Sequence, residues 1–160
     1  MDGGWRREVD PVVLEGGIHM PYSWTVGRVA SRFFIALRDT GRILASQCER
    51  CHVVWVPPRA MCPVCFVKIG DDRWTEVGPE GTLRHFTIAR HEHPAQPMKP
   101  PFAYGLIDLD GAGTAIVHLI SGGDPEDLRS GIRLRPVFRR DRQGNILDIA
   151  HFTPVGGQSP

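Results

Sequence analysis

Four cysteines in two pairs place the strictest limit on how this chain can fold. Cys48 and Cys51 form one Cys-x-x-Cys pair, and Cys62 and Cys65 form a second pair after ten intervening residues. Each pair puts two sulfur atoms on one tight turn, and two such turns supply the four thiolates of a tetrahedral zinc site. Because protein sulfur fills all four positions, no metal-bound water remains, and we expect the metal to be structural.

The same cysteines leave two alternatives open. Four thiolates also suit iron, as in a rubredoxin-like site. Redox-active Cys-x-x-Cys pairs usually accompany a strand–helix–strand pattern of the thioredoxin type, which this sequence lacks. His52 follows a ligand directly, but with four sulfurs present we interpret it as a bystander. The stretch 52–59 has the length of a short strand and its return, so residues 42–77 are predicted to form a zinc ribbon.

The remainder of the chain favours a small β domain. Its 160 residues can bury a core without cross-links, and its 18 Gly and 14 Pro favour short strands over a helical bundle. Apolar runs and alternating patterns predict five strands and, at 124–129, a helical turn. The predicted strands cover residues 82–89, 102–109, 114–120, 132–138 and 146–152. Five strands with a helical turn between the third and fourth suit an OB-fold barrel over 78–154. The fold class is therefore mainly β.

One segment has the periodicity of an amphipathic helix. Between Ser23 and Gly41, apolar residues recur at positions 26, 29, 30, 33, 34 and 37, which is one face of a helix. We predict a helix over 23–39, with Ser23 as its N-cap and Gly41 as its C-terminal stop, inside a segment bounded at 23–41. The apolar stripe must be buried on its own domain or on a partner, and both alternatives stay open. Residues 1–22 are predicted to be an N-terminal arm and residues 155–160 a tail.

Charge and hydropathy disfavour two classes of protein. The chain has 19 Lys plus Arg against 18 Asp plus Glu, and the resulting charge of +1 argues against a dedicated nucleic-acid binder. No segment is long and apolar enough to cross a membrane, and the start lacks the apolar run of a secretory signal. We therefore expect a cytoplasmic protein with reduced thiols and no membrane association.

The basic residues suggest an anionic ligand. All but two of the 19 basic residues are Arg, which favours fork-like recognition of phosphate or carboxylate. Several lie in 133–142, and others flank a Pro-rich loop at 91–101. They indicate either solvated strand edges or a site for anions such as the phosphates of a nucleotide-bearing cofactor.

No catalytic constellation is evident in the sequence. The cysteines are assigned to metal, and Gly-x-Ser-x-Gly, His-Glu-x-x-His and phosphate-binding glycine motifs are absent. His91 and His93 lack a third nearby ligand, and Asp108 and Asp110 fit a strand that runs into a turn. The chain alone is therefore not expected to be an enzyme.

The order of these elements resembles a known family. An amphipathic helix with Ser31-Arg32-Phe33-Phe34, the four-cysteine ribbon with Pro57-Pro58-Arg59 and a five-stranded barrel follow one another over about residues 22–154. Further matching segments are 102–109, 117–119 and 128–134. The chain is similar to the domain-of-unknown-function-35 family, acyl-CoA-associated proteins with a rubredoxin-like zinc ribbon and an OB fold.

The resemblance implies an accessory subunit that an acyl-CoA enzyme requires. The catalytic partner would be thiolase-like: a degradative thiolase, a hydroxymethylglutaryl-CoA synthase-type assembly or a steroid side-chain aldolase, in a hetero-oligomer built on a thiolase dimer. The small subunit would hold structural zinc, dock by helix and ribbon, and help to enclose acyl-CoA. The candidate partner-interface residues are Val29, Phe33, Phe34 and Leu37. The candidate CoA-binding residues are Arg84, Arg90, Lys99, Arg139 and Arg140.

Two functions from other classes remain as alternatives. OB folds and zinc ribbons also bind single-stranded nucleic acid, which would require aromatic stacking platforms in a basic groove. Phe86 and Tyr104 give only limited support for such platforms. A free-standing hydrolase would have to use a strand histidine such as His85, His118 or His151.

Overall fold

The computed structural model describes residues 12–14, 16 and 20–156. Most of the predicted N-terminal arm and residues 157–160 of the predicted tail lie outside these described residues. The predicted architecture is confirmed: one helix is followed by a three-stranded ribbon sheet and a closed five-stranded barrel. Among the described residues, no helix combines the length and the apolar character that crossing a bilayer requires.

The elements follow in chain order. The helix α1 spans Gly27–Thr40. The ribbon strands are β1 (Ile43–Gln47), β2 (Val54–Trp55) and β3 (Trp74–Val77). The barrel strands are β4 (Gly81–Ala89), β5 (Phe102–Leu109), β6 (Ile116–Ile120), β7 (Arg133–Phe138) and β8 (Ile149–Pro154). Single 3-10 turns precede β7 and β8, at Pro125–Asp127 and Ile146–Asp148.

The helix ends where the sequence predicted but begins later. Gly41 adopts a left-handed conformation with φ of 66° and donates its N–H to the carbonyls of Ala36 and Leu37. A residue with a Cβ atom adopts this conformation at a cost, so glycine is favoured here. Ser23 is not the N-cap: the helix begins at Gly27, whose N–H is accepted by Thr25 Oγ1 at 3.2 Å.

The ribbon sheet is joined directly to the barrel. Strand β1 lies between β2 and β3 and is antiparallel to both. Gly113, in the turn between β5 and β6, donates its N–H to the carbonyl of Val54 at 2.8 Å. The hydroxyl of Thr114 exchanges hydrogen bonds with the backbone N–H and carbonyl of Val56. The ribbon is therefore fixed to the end of the β5–β6 hairpin.

The barrel closes in the order β4-β5-β6-β8-β7, with β7 paired back to β4. All neighbours are antiparallel except β6 and β8, which run parallel. This is the strand order of a five-stranded Greek-key barrel of the OB type. The interior is narrow: a Cβ atom on Gly105 would lie 2.3 Å from Ile120 Cδ1, so a larger residue at this position of β5 would displace the Ile120 side chain.

One apolar core unites the helix, the ribbon sheet and the barrel. Phe33 and Leu37 of α1 lie in the same cluster as Ile43 of β1, Ile107 of β5 and Phe152 of β8. The prediction that the helix stripe is buried against a partner is therefore wrong for Phe33 and Leu37, which are 1% and 0% exposed within this chain. Strand β1 and the turn before β8 cover this face because both pack against α1.

Candidate metal centre

The two cysteine turns bring four sulfur atoms together. The Sγ atoms of Cys48, Cys51, Cys62 and Cys65 all lie within 4.8 Å of one another. The Cys51 and Cys62 sulfurs are 3.6 Å apart. A Zn–S bond of about 2.3 Å gives a tetrahedral S–S edge of about 3.8 Å, so this donor set fits one tetrahedral zinc ion. His52 is not part of the cluster.

The two turns repeat the same backbone pattern. Cys48 donates its N–H to the carbonyl of Val53 and accepts at its own carbonyl from the N–H of His52. Cys62 does the same with Val67 and Phe66, and all four N···O distances are 2.9–3.0 Å. His52 and Phe66 therefore adopt positive φ angles of 60° and 55°. Two equivalent turns present their sulfurs to a common point.

Backbone N–H groups point at two of the sulfur atoms, which favours the thiolate form that binds metal. The N–H of Arg50 points at Cys48 Sγ at 3.4 Å, and the N–H of Cys65 points at Cys62 Sγ at 3.5 Å. Burial alone would raise the pKa of Cys62, but the N–H groups of Cys65 and Val64 and the neighbouring thiols lower it to about 6. Burial and the neighbouring thiols raise the pKa of Cys65 to about 12. The thiolate is the metal-binding form, so a cation that enters displaces the remaining protons.

The cluster sits in a small apolar core of its own. Cys48, Cys62 and Ile69 are buried, and Trp55 and Val67 pack against them. The Arg59 guanidinium lies over the Trp55 ring at 5.7 Å from its centroid. A bound ion would thus have four protein sulfurs and an apolar surround, which suits a structural role rather than activation of water.

The structure separates the five predicted CoA-binding residues. Arg90 follows the end of β4 and Arg139 follows the end of β7. Because these strands are antiparallel neighbours, the two arginines lie at opposite ends of the barrel. Lys99 lies in the loop between β4 and β5, near the Arg90 end, and Arg140 directly follows Arg139. The five residues do not form one cluster.

Two of the five are already paired with carboxylates. Arg84 binds both oxygens of Asp108, at 2.8 and 2.5 Å, and Arg90 pairs with Glu126. Lys99, Arg139 and Arg140 are exposed and make no ion pair within the described part of the chain. Of the predicted interface residues, Val29 and Phe34 are half-buried.

Sequence reasoning missed one buried charge. Asp148 is 1% exposed, and its carboxylate accepts hydrogen bonds from the backbone N–H groups of Gln143, Gly144 and Asn145 at 2.8, 2.7 and 3.3 Å. It holds the segment between β7 and β8 in place. The signal that could have found it is the capping box, an Asn at 145 with an acidic residue three positions later. The predicted strand 146–152 begins instead with a 3-10 turn.

The fold and the cysteine cluster define a class: a zinc-ribbon protein with an OB-fold barrel. Residues 36–69 match the rubredoxin-like zinc ribbon domain of ChsH2, and residues 74–139 match the C-terminal OB-fold domain of ChsH2. The chain belongs to this ChsH2-like domain-of-unknown-function-35 family, as its sequence predicted. No curated protein matches the chain.

Solved structures share the fold. A chain of the "Ltp2-ChsH2(DUF35) aldolase" superposes with a TM-score of 0.61 at 20% identity, covering 82% of this chain and 98% of that one. A Sulfolobus solfataricus protein of unknown function, from the domain-of-unknown-function-35 family, superposes with a TM-score of 0.57 at 23% identity. The match covers 69% of this chain and 78% of that one. At these identities the likeness establishes the fold.

Proposed function

We propose that this chain is a non-catalytic, zinc-containing accessory subunit of a heteromeric enzyme that forms or cleaves carbon–carbon bonds of acyl-CoA. The catalytic residues would lie on a thiolase-like partner. The observation that carries the proposal is the match of both domains, in order, to ChsH2. A solved relative of the same fold carries the name of an aldolase that joins ChsH2 with a second protein, Ltp2.

The chemistry of the described residues supports an accessory role. The four cysteines share one cluster, so their thiols are committed to metal. His118 is buried, and each ring nitrogen has a backbone partner: Nδ1 accepts from the N–H of Leu119 and Nε2 faces the carbonyl of Ile146. The Asp148 carboxylate is occupied by backbone N–H groups. These groups build the fold, which leaves the reaction to the partner.

The accessory subunit would contribute to enclosing CoA. In OB folds the face of the second and third strands, with the loops between the first and second and between the fourth and fifth strands, binds elongated ligands. Here those loops carry Lys99 and the adjacent pair Arg139 and Arg140, which have no carboxylate partner in the described ranges. CoA is long and bears phosphates at one end, and we place these phosphates at Arg139 and Arg140.

Co-expression tests the assembly. The chain is co-produced with the thiolase-like protein encoded nearest to it, and the mixture is analysed by size-exclusion chromatography with light scattering. We expect a stable hetero-oligomer that contains about one zinc per copy of this chain and that turns over acyl-CoA only when both proteins are present. A monomeric chain that ignores every thiolase-like candidate, or acyl-CoA turnover by this chain alone, would overturn the proposal.

A double variant tests the CoA contact. Arg139→Gln with Arg140→Gln should weaken CoA binding to the assembled complex at least tenfold. Arg28→Gln is the control because Arg28 is also exposed but lies at the start of α1. If the wild-type, double-variant and control complexes bind CoA with equal affinity, CoA does not bind at this end of the barrel. The proposed assembly would not be contradicted by that result.

A further inference from the structure

The second cysteine turn carries an exposed apolar patch. Met61, Val64 and Phe66 surround Cys62 and Cys65, and their exposed fractions are 56%, 62% and 78%. We call these three residues the knuckle patch. Large apolar side chains that cluster on a surface mark contact sites more often than isolated ones do. None of the three belongs to either apolar core cluster of the described structure.

Phe66 is an unexpected residue for its position. Its φ of 55° is set by the turn, because its N–H must reach the carbonyl of Cys62 at 2.9 Å. Bulky residues are rare in the left-handed region, where Gly and Asn are favoured. The phenyl ring is mostly exposed and belongs to neither apolar core of the described structure, so the fold gains little packing in return. A contact outside the chain would account for a bulky residue at this position.

Within the ribbon segment 42–77, the charged side chains that lack an ion pair among the described residues are all cations. All four carboxylates of the ribbon segment 42–77 pair with arginines: Glu49 and Asp72 with Arg73, Asp71 with Arg28, and Glu76 with Arg42. By contrast, Arg50, Arg59 and Lys68 have no ion pair among the described residues. Lys68 is paired with Met61 in a short β-bridge, so one of these free cations borders the patch directly.

We infer that the knuckle patch is the surface by which this chain docks onto the catalytic subunit of the proposed function, and that the partner offers an apolar pocket edged by Asp and Glu. This inference rests on that proposed function. Exposed Phe and Met beside unpaired cations fit such a pocket, since apolar anchors supply affinity and rim charges supply orientation. Two of the three patch residues are not aromatic, so the patch offers poor stacking for nucleic-acid bases.

Phe66→Asn is the primary test. Asn tolerates the left-handed conformation, so the turn and its metal should survive, which zinc analysis and circular dichroism verify. We expect the dissociation constant of the co-produced complex, measured by titration calorimetry, to rise at least tenfold. Val155→Ser is the matched control because Val155 is also apolar and 45% exposed but directly follows β8. Its dissociation constant should stay within twofold of the unmodified chain.

Lys68→Glu tests the charge and serves as a second variant should Phe66→Asn lose zinc. It should weaken the complex at low salt and lose most of that effect at high salt. If the wild-type complex forms and both variants bind the partner with unchanged affinity, the knuckle patch is not the docking surface. The proposed function would not be contradicted by that result. Failure of the wild-type chain to bind any thiolase-like partner would overturn both. Salt-dependent binding of a single-stranded oligonucleotide that Lys68→Glu abolishes would replace the protein partner with nucleic acid.

Discussion

Arg142 donates its Nε–H to the carbonyl oxygen of Arg38 at 2.6 Å, which ties the segment between β7 and β8 to the last turn of α1. The carbonyls of a final helical turn lack partners within the helix, and a cation there also interacts favourably with the helix dipole. Gly41 leaves room for this contact, since a Cβ atom at that position would lie 3.2 Å from Arg142 Nη1. One side chain thus joins the helix to the barrel.

Replacing Arg142 should loosen the helix. We expect Arg142→Met to lower the free energy of unfolding by about 1–2 kcal/mol because it removes a charged hydrogen bond to a free carbonyl. The measurement is urea denaturation followed by circular dichroism. Arg135→Met is the control: Arg135 is exposed, and its replacement should change stability by less than about 0.5 kcal/mol. Equal effects would show that the contact contributes nothing specific.

Replacing one cysteine ligand should unfold the zinc ribbon. We expect Cys48→Ser to lose its metal and the ordered structure of residues 43–77, because structural zinc supplies about 10–16 kcal/mol of apparent binding energy. Elemental analysis and amide hydrogen exchange measure the two losses. His52→Asn should keep the full metal content, since His52 lies outside the sulfur cluster and Asn accepts its positive φ. Metal retained in Cys48→Ser at wild-type affinity would contradict the four-sulfur assignment.

Neutralising Asp148 should free the segment before β8. In Asp148→Asn one carboxylate oxygen becomes an amide donor that faces backbone N–H groups, so we expect a loss of about 2–3 kcal/mol in unfolding free energy. Hydrogen exchange should accelerate at Gln143 and Gly144 in particular. Asp141→Asn changes an exposed carboxylate of the same segment and should leave both quantities unchanged. Unaltered exchange in Asp148→Asn would refute the role of the carboxylate.

Stability should fall in mild acid because of His118. Burial lowers the pKa of His118 below its usual 6.5, and its Nδ1 already accepts the N–H of Leu119. Near pH 6.5 the unfolded chain therefore binds a proton at His118 more readily than the folded chain does. The free energy of unfolding is highest above that pH and declines as the pH drops below it. Thermal unfolding between pH 5 and pH 8 measures the slope.

A variant assigns this slope to its residue. His118→Asn retains a donor and an acceptor but cannot titrate, so its unfolding temperature should depend less on pH. Burial also lowers the pKa of His151, which leaves a residual slope of the same sign. His85→Asn is the control because His85 is exposed on β4. A slope that His118→Asn leaves unchanged would exclude His118 as its source.

The metal centre was predictable because its geometry is local. Each Cys-x-x-Cys pair forms its turn from its own backbone, as the Cys48 and Cys62 turns show. The strands were largely predictable as well, since alternation follows from one buried face. The predictions were wrong at the ends of some elements. Ser23 offered a plausible cap, but Thr25 and Gly27 begin the helix.

The distribution of the basic residues was not predictable, because sequence clustering does not fix strand direction. Arg139 and Arg140 looked like one patch with Arg84 and Arg90, yet β4 and β7 run antiparallel and place their ends far apart. Carboxylates from β5 and from the turn before β7 then neutralise Arg84 and Arg90. The pairing of β4 with β5 brings Asp108 to Arg84, and the tertiary fold brings the turn before β7 to Arg90.

By itself, the sequence determined the four-sulfur site, the helix face and the order of helix, ribbon and barrel, since each depends on residues a few positions apart. The tertiary structure alone decided what covers the helix: Phe33 and Leu37 bury themselves against Ile43 and the barrel rather than remaining free for a partner. The tertiary structure also leaves the Phe66 side chain exposed on the surface. Burial depends on which distant segments meet, and that is set by strand pairing and close packing, which no local pattern encodes.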